Sequence, residues 1–266
     1  MTLIRSIPDN HSLQHLLQSI LNTIETISKN LRLNAFKTHQ NGVQNDFGDS
    51  QLDADVEIDK LMFDCLKQSQ VVSFAVSEET PVMVNCRPQQ KHIKLDDDLE
   101  YIVAFDPLDG SSIVDANFAV GTVMGVWAGD TLIGRTGRDM IASMMVMYGP
   151  KTTVAIGLNL KQIQTTADIP WISFEMVLEG KEWMDSKVFQ IAPLATHFGP
   201  GNLRGINDNP SYERIVMYWI RNGYTLRYTG GVVPDTYHIL SKGQGVTSNV
   251  ASPSTKEKLR LVSSID

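Results

Sequence analysis

The sequence predicts an α/β protein, an α+β layered sandwich, on three observations. One long stretch has clean helical periodicity, several short β-rich runs end in turn residues, and strands and helices are mixed throughout the chain. At 266 residues the chain buries enough surface to fold as one large domain or two smaller ones.

The first element is a helix over residues 12–31. Leu13, Leu16, Leu17, Ile20, Leu21, Ile24 and Ile27 form one apolar stripe, and Asp9, Asn10 and Ser12 are candidate caps. Residues 39–48 are polar and contain glycine, the pattern of a surface loop. A second helix is expected over 50–67. Strands follow at 71–76, 101–105 and 122–127, with residues 87–98 an exposed loop between the first two. Residues 138–148 have helical spacing, and Met140, Met144, Met145 and Met147 are expected to pack in the core. Residues 152–158 and 171–178 read as strands, with a hairpin turn at Glu179-Gly180-Lys181. Residues 193–210, rich in Gly, Pro and Asn, are the expected boundary between a domain over 1–192 and one over 193–266. Beyond it a helix is expected at 212–221, a strand at 224–228 and a helix opening at Pro234.

Composition narrows the function. Thirty acidic against 23 basic side chains give a net charge of −7, which disfavours a nucleic-acid binder. No apolar run approaches the roughly 20 residues that span a bilayer, so no membrane partner is expected. Residues 1–10 lack a secretory signal pattern, and a cytoplasmic protein is expected, or a plastid one if a transit segment precedes the chain. Cys65 and Cys86 cannot make a disulfide framework or a CxxC zinc site.

The acidic residues gather at the ends of predicted elements. Asp49 and Asp55 stand at the entry to the second helix, and Glu78-Glu79 follow the first strand. Asp106-Pro107-Leu108-Asp109-Gly110-Ser111-Ser112 follows the second. Pro107 is expected to turn the chain at once. Asp106, Asp109 and a backbone carbonyl would suit a hard cation, and the N–H groups and hydroxyls of Gly110, Ser111 and Ser112 would suit phosphate. Each cluster alone also fits a plainer role: a tight turn, a solvated acidic pair, or negative charge favoured at a helix N-terminus. Placed together they would repel. Carboxylates about 4 Å apart at an effective dielectric near 20 oppose each other by roughly 4 kcal/mol. Bound divalent metal would make such a site tolerable.

Ser77-Glu78-Glu79, the run from Tyr101 to Ser112, and Val120-Gly121-Thr122 resemble the fructose-1,6-bisphosphatase and sedoheptulose-1,7-bisphosphatase family. Ser112-Ile113-Val114-Asp115, Gly125-Val126-Trp127, Gly149-Pro150-Lys151-Thr152-Thr153, Gly201-Asn202-Leu203-Arg204 and the run from Thr225 to Gly231 lean towards its seven-carbon branch. The resemblance implies that family's sugar-phosphatase fold and magnesium-dependent removal of the 1-phosphate of sedoheptulose 1,7-bisphosphate. Two or three magnesium ions are implied, with manganese as a substitute. Their ligands are implied to be Glu78, Glu79, Asp106, Asp109 and the carbonyl of Leu108. Asp49 and Asp55 match residues that place and activate the attacking water, and Glu79 with Asp55 is the pair chosen to take its proton. Gly110, Ser111 and Ser112 match the cradle of the scissile phosphate. Asn202, Arg227 and Tyr228 match contacts to the distal phosphate, and Lys258 a contact to the sugar. The arginine at the Arg227 position reaches a neighbouring subunit in the family, which implies a homodimer or homotetramer.

Two departures from the pattern bear on these expectations. Residues 39–48 lack the cysteine pair of the plastid enzymes, so that redox switch is not expected. The family also continues beyond Leu261 with a strand bearing another glutamate ligand, whereas Ser264 stands near that place. A C-terminally truncated second domain, exposing apolar surface, is therefore expected. A fructose-1,6-bisphosphatase, a catalytically weak homologue serving as a binding subunit, and an inositol-monophosphatase-like enzyme are the alternatives.

Overall fold

The computed structural model describes residues 4, 10–33, 36, 40–44, 50–88, 99–163, 170–250 and 252–253. Helix α1, His11–Arg32, buries the predicted stripe from Leu13 to Ile27. Asn10 caps it, its side-chain oxygen accepting from Leu13 N at 2.9 Å and from the Tyr101 hydroxyl at 2.7 Å. The cap thus ties the helix to the strand that carries the acidic turn.

Strand β1, Gln40–Gln44, pairs with β2, Ser50–Leu52. The expected loop over 39–48 is therefore part strand, and helix α2 begins at Asp53 and runs to Ser69. The central sheet comprises β3 Val72–Ser77, β4 Val84–Asn85, β5 Tyr101–Asp109, β6 Val120–Ala128, β7 Met140–Tyr148, β8 Thr152–Asn159, β9 Trp171–Glu179 and β10 Glu182–Val188. Their order is β10-β9-β8-β7-β6-β5-β3-β4. Only the β3–β5 pair is parallel, and the other pairings are antiparallel. A short helix, α3, Leu160–Ile163, follows β8.

The expected helix over 138–148 is instead strand β7. Its methionines favour helix locally, but Ala142, Met144, Val146 and Tyr148 are buried while Ser143, Met145 and Met147 are half-buried. That alternation fits a strand hydrogen-bonded on both sides, so pairing with β6 and β8 overrides propensity.

Alternation along the strands gives the sheet two faces. Val103, Phe105, Met124, Val126, Met144 and Ile156 pack with α1 and α2 in the main core. The opposite face, at Gly121, meets α5, Val232–Lys242. A methyl group on Gly121 would collide with Val233 and with the Val146 carbonyl, so glycine is what lets this helix settle onto β6.

A second sheet holds β11 His197–Gly201, β12 Thr225–Leu226 and β13 Val246–Asn249, ordered β12-β11-β13 and parallel throughout. Strand β12 is shorter than the run expected over 224–228. Helix α4, Pro210–Arg221, covers this sheet through Tyr212, Val216 and Trp219, which pack on Phe198. Helix α5 contacts β6 and β7 of the large sheet as well as β11 and β13 of the small one. It opens two residues before the predicted Pro234, because Gly231 is its cap. Among the described residues no helix is long and apolar enough to cross a membrane.

Candidate active site

Strand β5 does not turn at Pro107 as expected. It continues to Asp109, and the missing proline N–H is absorbed by a bulge. Asp106 pairs with Val123 and Asp109 with Gly121, so β5 advances three residues while β6 advances two. The Thr122 hydroxyl holds the Pro107 carbonyl at 2.7 Å, and Asp106 Oδ1 accepts from Leu108 N at 3.0 Å. Leu108 is buried in the bulged segment. Beyond the bulge, Gly110 adopts φ 82°, ψ 21° and starts a 3-10 turn over Ser111–Ile113, with Ser112 exposed and Ser111 half-buried.

Parallel pairing of β3 with β5 brings the second cluster alongside. Glu78 N donates to the Phe105 carbonyl at 3.1 Å, and the Glu78 side chain hydrogen-bonds to Asp106. Burial raises the pKa of Glu78, and its neighbours Glu79 and Asp109 raise it further. Burial also pushes Asp106 well above the usual carboxylate range, with Glu78 and Asp109 adding to the shift. Asp109 is raised by burial too, although the N–H groups of Val233 and Val232 pull it back down. No lysine or arginine contributes to any of these three shifts. The two acidic clusters therefore share one electrostatic site.

Asp109 accepts from Val232 N at 3.2 Å and Val233 N at 2.7 Å, at the start of α5. Among the described residues no three His, Cys, Asp or Glu side chains converge as a ready metal-ligand set. Asp109 faces helix amides, and Glu78 and Asp106 bond to each other. The donors are all hard oxygens, which fits a hard divalent cation.

Asp55 is buried in the first turn of α2. Asp59 lies one turn on along the same face, and its Oδ2 accepts from Thr80 Oγ1 at 2.9 Å, beside Glu78-Glu79. Burial raises the Asp59 pKa. This buried acid escaped the sequence reading, although its i,i+4 spacing from Asp55 was a signal. Asp49 and Lys258 lie outside the described residues.

The small parallel sheet builds a cleft of about 320 Å³ at its carboxyl edge. Asn202 and Tyr228, the residues expected to contact the distal phosphate, line it, and so does Arg204, to which the sequence reading gave no role. Arg227 is absent from the lining. Its Nη1 donates to the Leu226 carbonyl at 2.8 Å, and its charge falls on His238, whose pKa is lowered first by burial and then by Arg227. Asp235, also unpredicted, is buried and accepts from the amides of Thr229 at 2.7 Å and Gly230 at 3.3 Å. Gly231 joins the parts: it lines the cleft and packs against Gly110 of the 3-10 turn.

Comparison with known proteins bears on this arrangement. Residues 5–166 match the family model "Fructose-1-6-bisphosphatase, N-terminal domain", and residues 191–265 match its C-terminal domain. The chain is 40% identical over 260 residues to the chloroplastic sedoheptulose-1,7-bisphosphatase of Chlamydomonas reinhardtii, covering 98% of this chain and 61% of that protein. It is 44% identical over 218 residues to the wheat (Triticum aestivum) enzyme of the same name, covering 82% of this chain and 52% of that one. The chain thus spans between half and two thirds of the length of these relatives. It is 34% identical over 234 residues to the class 1 fructose-1,6-bisphosphatase of Trichlorobacter lovleyi, covering 86% of this chain and 69% of that protein. A solved structure from Toxoplasma gondii, assigned as a sedoheptulose-1,7 bisphosphatase, superposes with a TM-score of 0.84 at 32% identity, covering 99% of this chain and 83% of the other.

Proposed function

Because the chain belongs to the fructose-1,6-bisphosphatase family, we propose that it hydrolyses the 1-phosphate of sedoheptulose 1,7-bisphosphate, giving sedoheptulose 7-phosphate and phosphate. The observation that carries this is the half-buried Glu78–Asp106 pair, with Glu79 and Asp109 beside it, next to a turn that carries Ser111 and the exposed Ser112. The cleft at Gly231 then gives the sugar a place to lie.

Glu78, Glu79, Asp106, Asp109 and the Leu108 carbonyl would hold two or three magnesium ions, with manganese as a substitute. Bound there, such ions would lower the pKa of the attacking water and offset charge on the leaving sugar oxygen. Gly110, Ser111 and Ser112 cradle the scissile phosphate through N–H and hydroxyl donors. Asp49 and Asp55 orient the water, and Glu79 with Asp55 takes its proton. The serines act as hydrogen-bond donors, so no phosphoenzyme forms. Asn202 and Tyr228 contact the distal phosphate and Lys258 the sugar. Arg227, outside the cleft of its own chain, serves a second copy in a homodimer or homotetramer.

Phosphate release from sedoheptulose 1,7-bisphosphate with magnesium, lost in Asp109→Asn, is the expected result. Undiminished release by that variant overturns the site. Fructose 1,6-bisphosphate is the second candidate substrate, on the 34% identity to a class 1 fructose-1,6-bisphosphatase. The ratio of kcat/KM on the two sugars decides between them.

A further inference from the structure

We propose that Arg204 is a further cation, contributed by this chain's own cleft beside the Arg227 of a second copy, that binds the phosphate at the far end of its substrate, an inference that rests on the sugar-bisphosphate activity above. Ligands of parallel sheets sit beyond the carboxyl ends of the strands. In the small sheet all three strands point the same way, and the segments after them meet at one cleft. Asn202 and Arg204 follow β11, Tyr228 follows β12, and Asn249 ends β13. Among the described residues that line the cleft, Arg204 is the one positively charged side chain.

The backbone that carries it is firmly held. Asn202 takes the left-handed conformation, φ 51°, and turns the chain from β11 into the 3-10 turn over Leu203–Asn207. Its Nδ2 donates to the Val250 carbonyl at 2.5 Å, and Gly205 N donates back to the Asn202 carbonyl at 2.9 Å. The buried Tyr212 hydroxyl reaches the Gly201 carbonyl at 2.8 Å and Ser248 Oγ at 3.0 Å. Arg204 therefore projects from a fixed turn, while its own side chain is exposed.

Its charge also has no partner among the described residues. Asp235 is the acidic residue that lines the cleft, and its carboxylate is taken up by the amides of Thr229 and Gly230. The floor is kept low by glycine: a Cβ on Gly201 would lie 2.9 Å from Asn249 Oδ1 and 3.0 Å from the Ser248 carbonyl. A phosphate dianion entering here meets a planar guanidinium suited to bidentate contact. The same cleft includes Gly231, against which Gly110 of the scissile-phosphate turn packs.

The test compares Arg204→Gln and Arg204→Lys on two substrates, sedoheptulose 1,7-bisphosphate and fructose 1-phosphate, which lacks the distal phosphate. Loss of a charged hydrogen bond should lower kcat/KM of Arg204→Gln on the bisphosphate by roughly 10- to 100-fold, mostly through KM, against less than about threefold on fructose 1-phosphate. Arg204→Lys should recover part of the loss. An equal fall on both substrates, or no fall on the bisphosphate, overturns the proposal. Calorimetric titration with sedoheptulose 7-phosphate gives a readout independent of turnover. Weaker binding by Arg204→Gln, in a protein that releases no phosphate from either sugar, would sink the hydrolase function and leave Arg204 standing. Binding equal to wild type, or no binding by the wild type, overturns the Arg204 assignment itself.

Discussion

Asp109 Oδ2 accepts a 2.7 Å hydrogen bond from the backbone N–H of Val233. One carboxylate therefore closes strand β5 and caps helix α5. Negative charge at that helix terminus is favoured by the unsatisfied amides and the macrodipole. Asp109 should matter to stability as well as to chemistry, and substitutions can separate the two.

Asp109→Ala should lower the unfolding free energy by about 1–2 kcal/mol, as loss of a helix cap does. Asp109→Asn keeps one acceptor oxygen and should lose less, yet it should abolish phosphate release as fully. Urea denaturation beside a phosphate assay checks both. Equal stability of all three proteins would remove the capping role.

The far side of α5 rests on another buried acid. Glu175 accepts from the Tyr237 hydroxyl at 2.7 Å and from Ser186 at 2.8 Å, with the Lys187 ammonium 3.6 Å away. Tyr237→Phe leaves Glu175 short of one donor and should cost about 1–2 kcal/mol. A change below about 0.3 kcal/mol would mean that the helix is held without this bond.

Glu78, Asp106 and Asp109 all have pKa values raised by folding, chiefly through burial. A raised carboxyl stabilises the fold below its unfolded value, near 4, and that contribution is lost as pH rises through the folded value. Divalent cation can replace the missing protons only once these groups ionise. Magnesium should therefore raise the melting temperature at pH 8 and have little effect at pH 4.5. A shift of the same size at both pH values would place the cation elsewhere.

Both cysteines are free and buried, and burial pushes Cys86 up to about 11 and raises Cys65 as well. Thiols react as thiolates. Iodoacetamide at pH 8 should leave both unmodified in the native protein and label both in denaturant. Rapid labelling of the folded chain would contradict this burial.

Where a signal lay within a few neighbouring residues, it was legible in the sequence. The stripe from Leu13 to Ile27 specified α1, and the run from Tyr101 to Ser112 specified a buried strand leading into a polar turn. Strand β7 was misread because Met and Ala favour helix locally and its pairing partners could not be known. Pro107 marked a break but not its kind, since turn and bulge both accommodate a missing N–H. The Asp109–Val233 bond joins residues 124 positions apart. Arg204 carried no local mark of its place, because the cleft is assembled from three separated strand ends.

Helix α5 is tied at its first turn to Asp109 on one sheet and lies along strands of both sheets. It works as a crossbar. A displacement of the small sheet cannot stay within the small sheet: the helix must either follow it and pull on Asp109, or stay and be pried off β11 and β13.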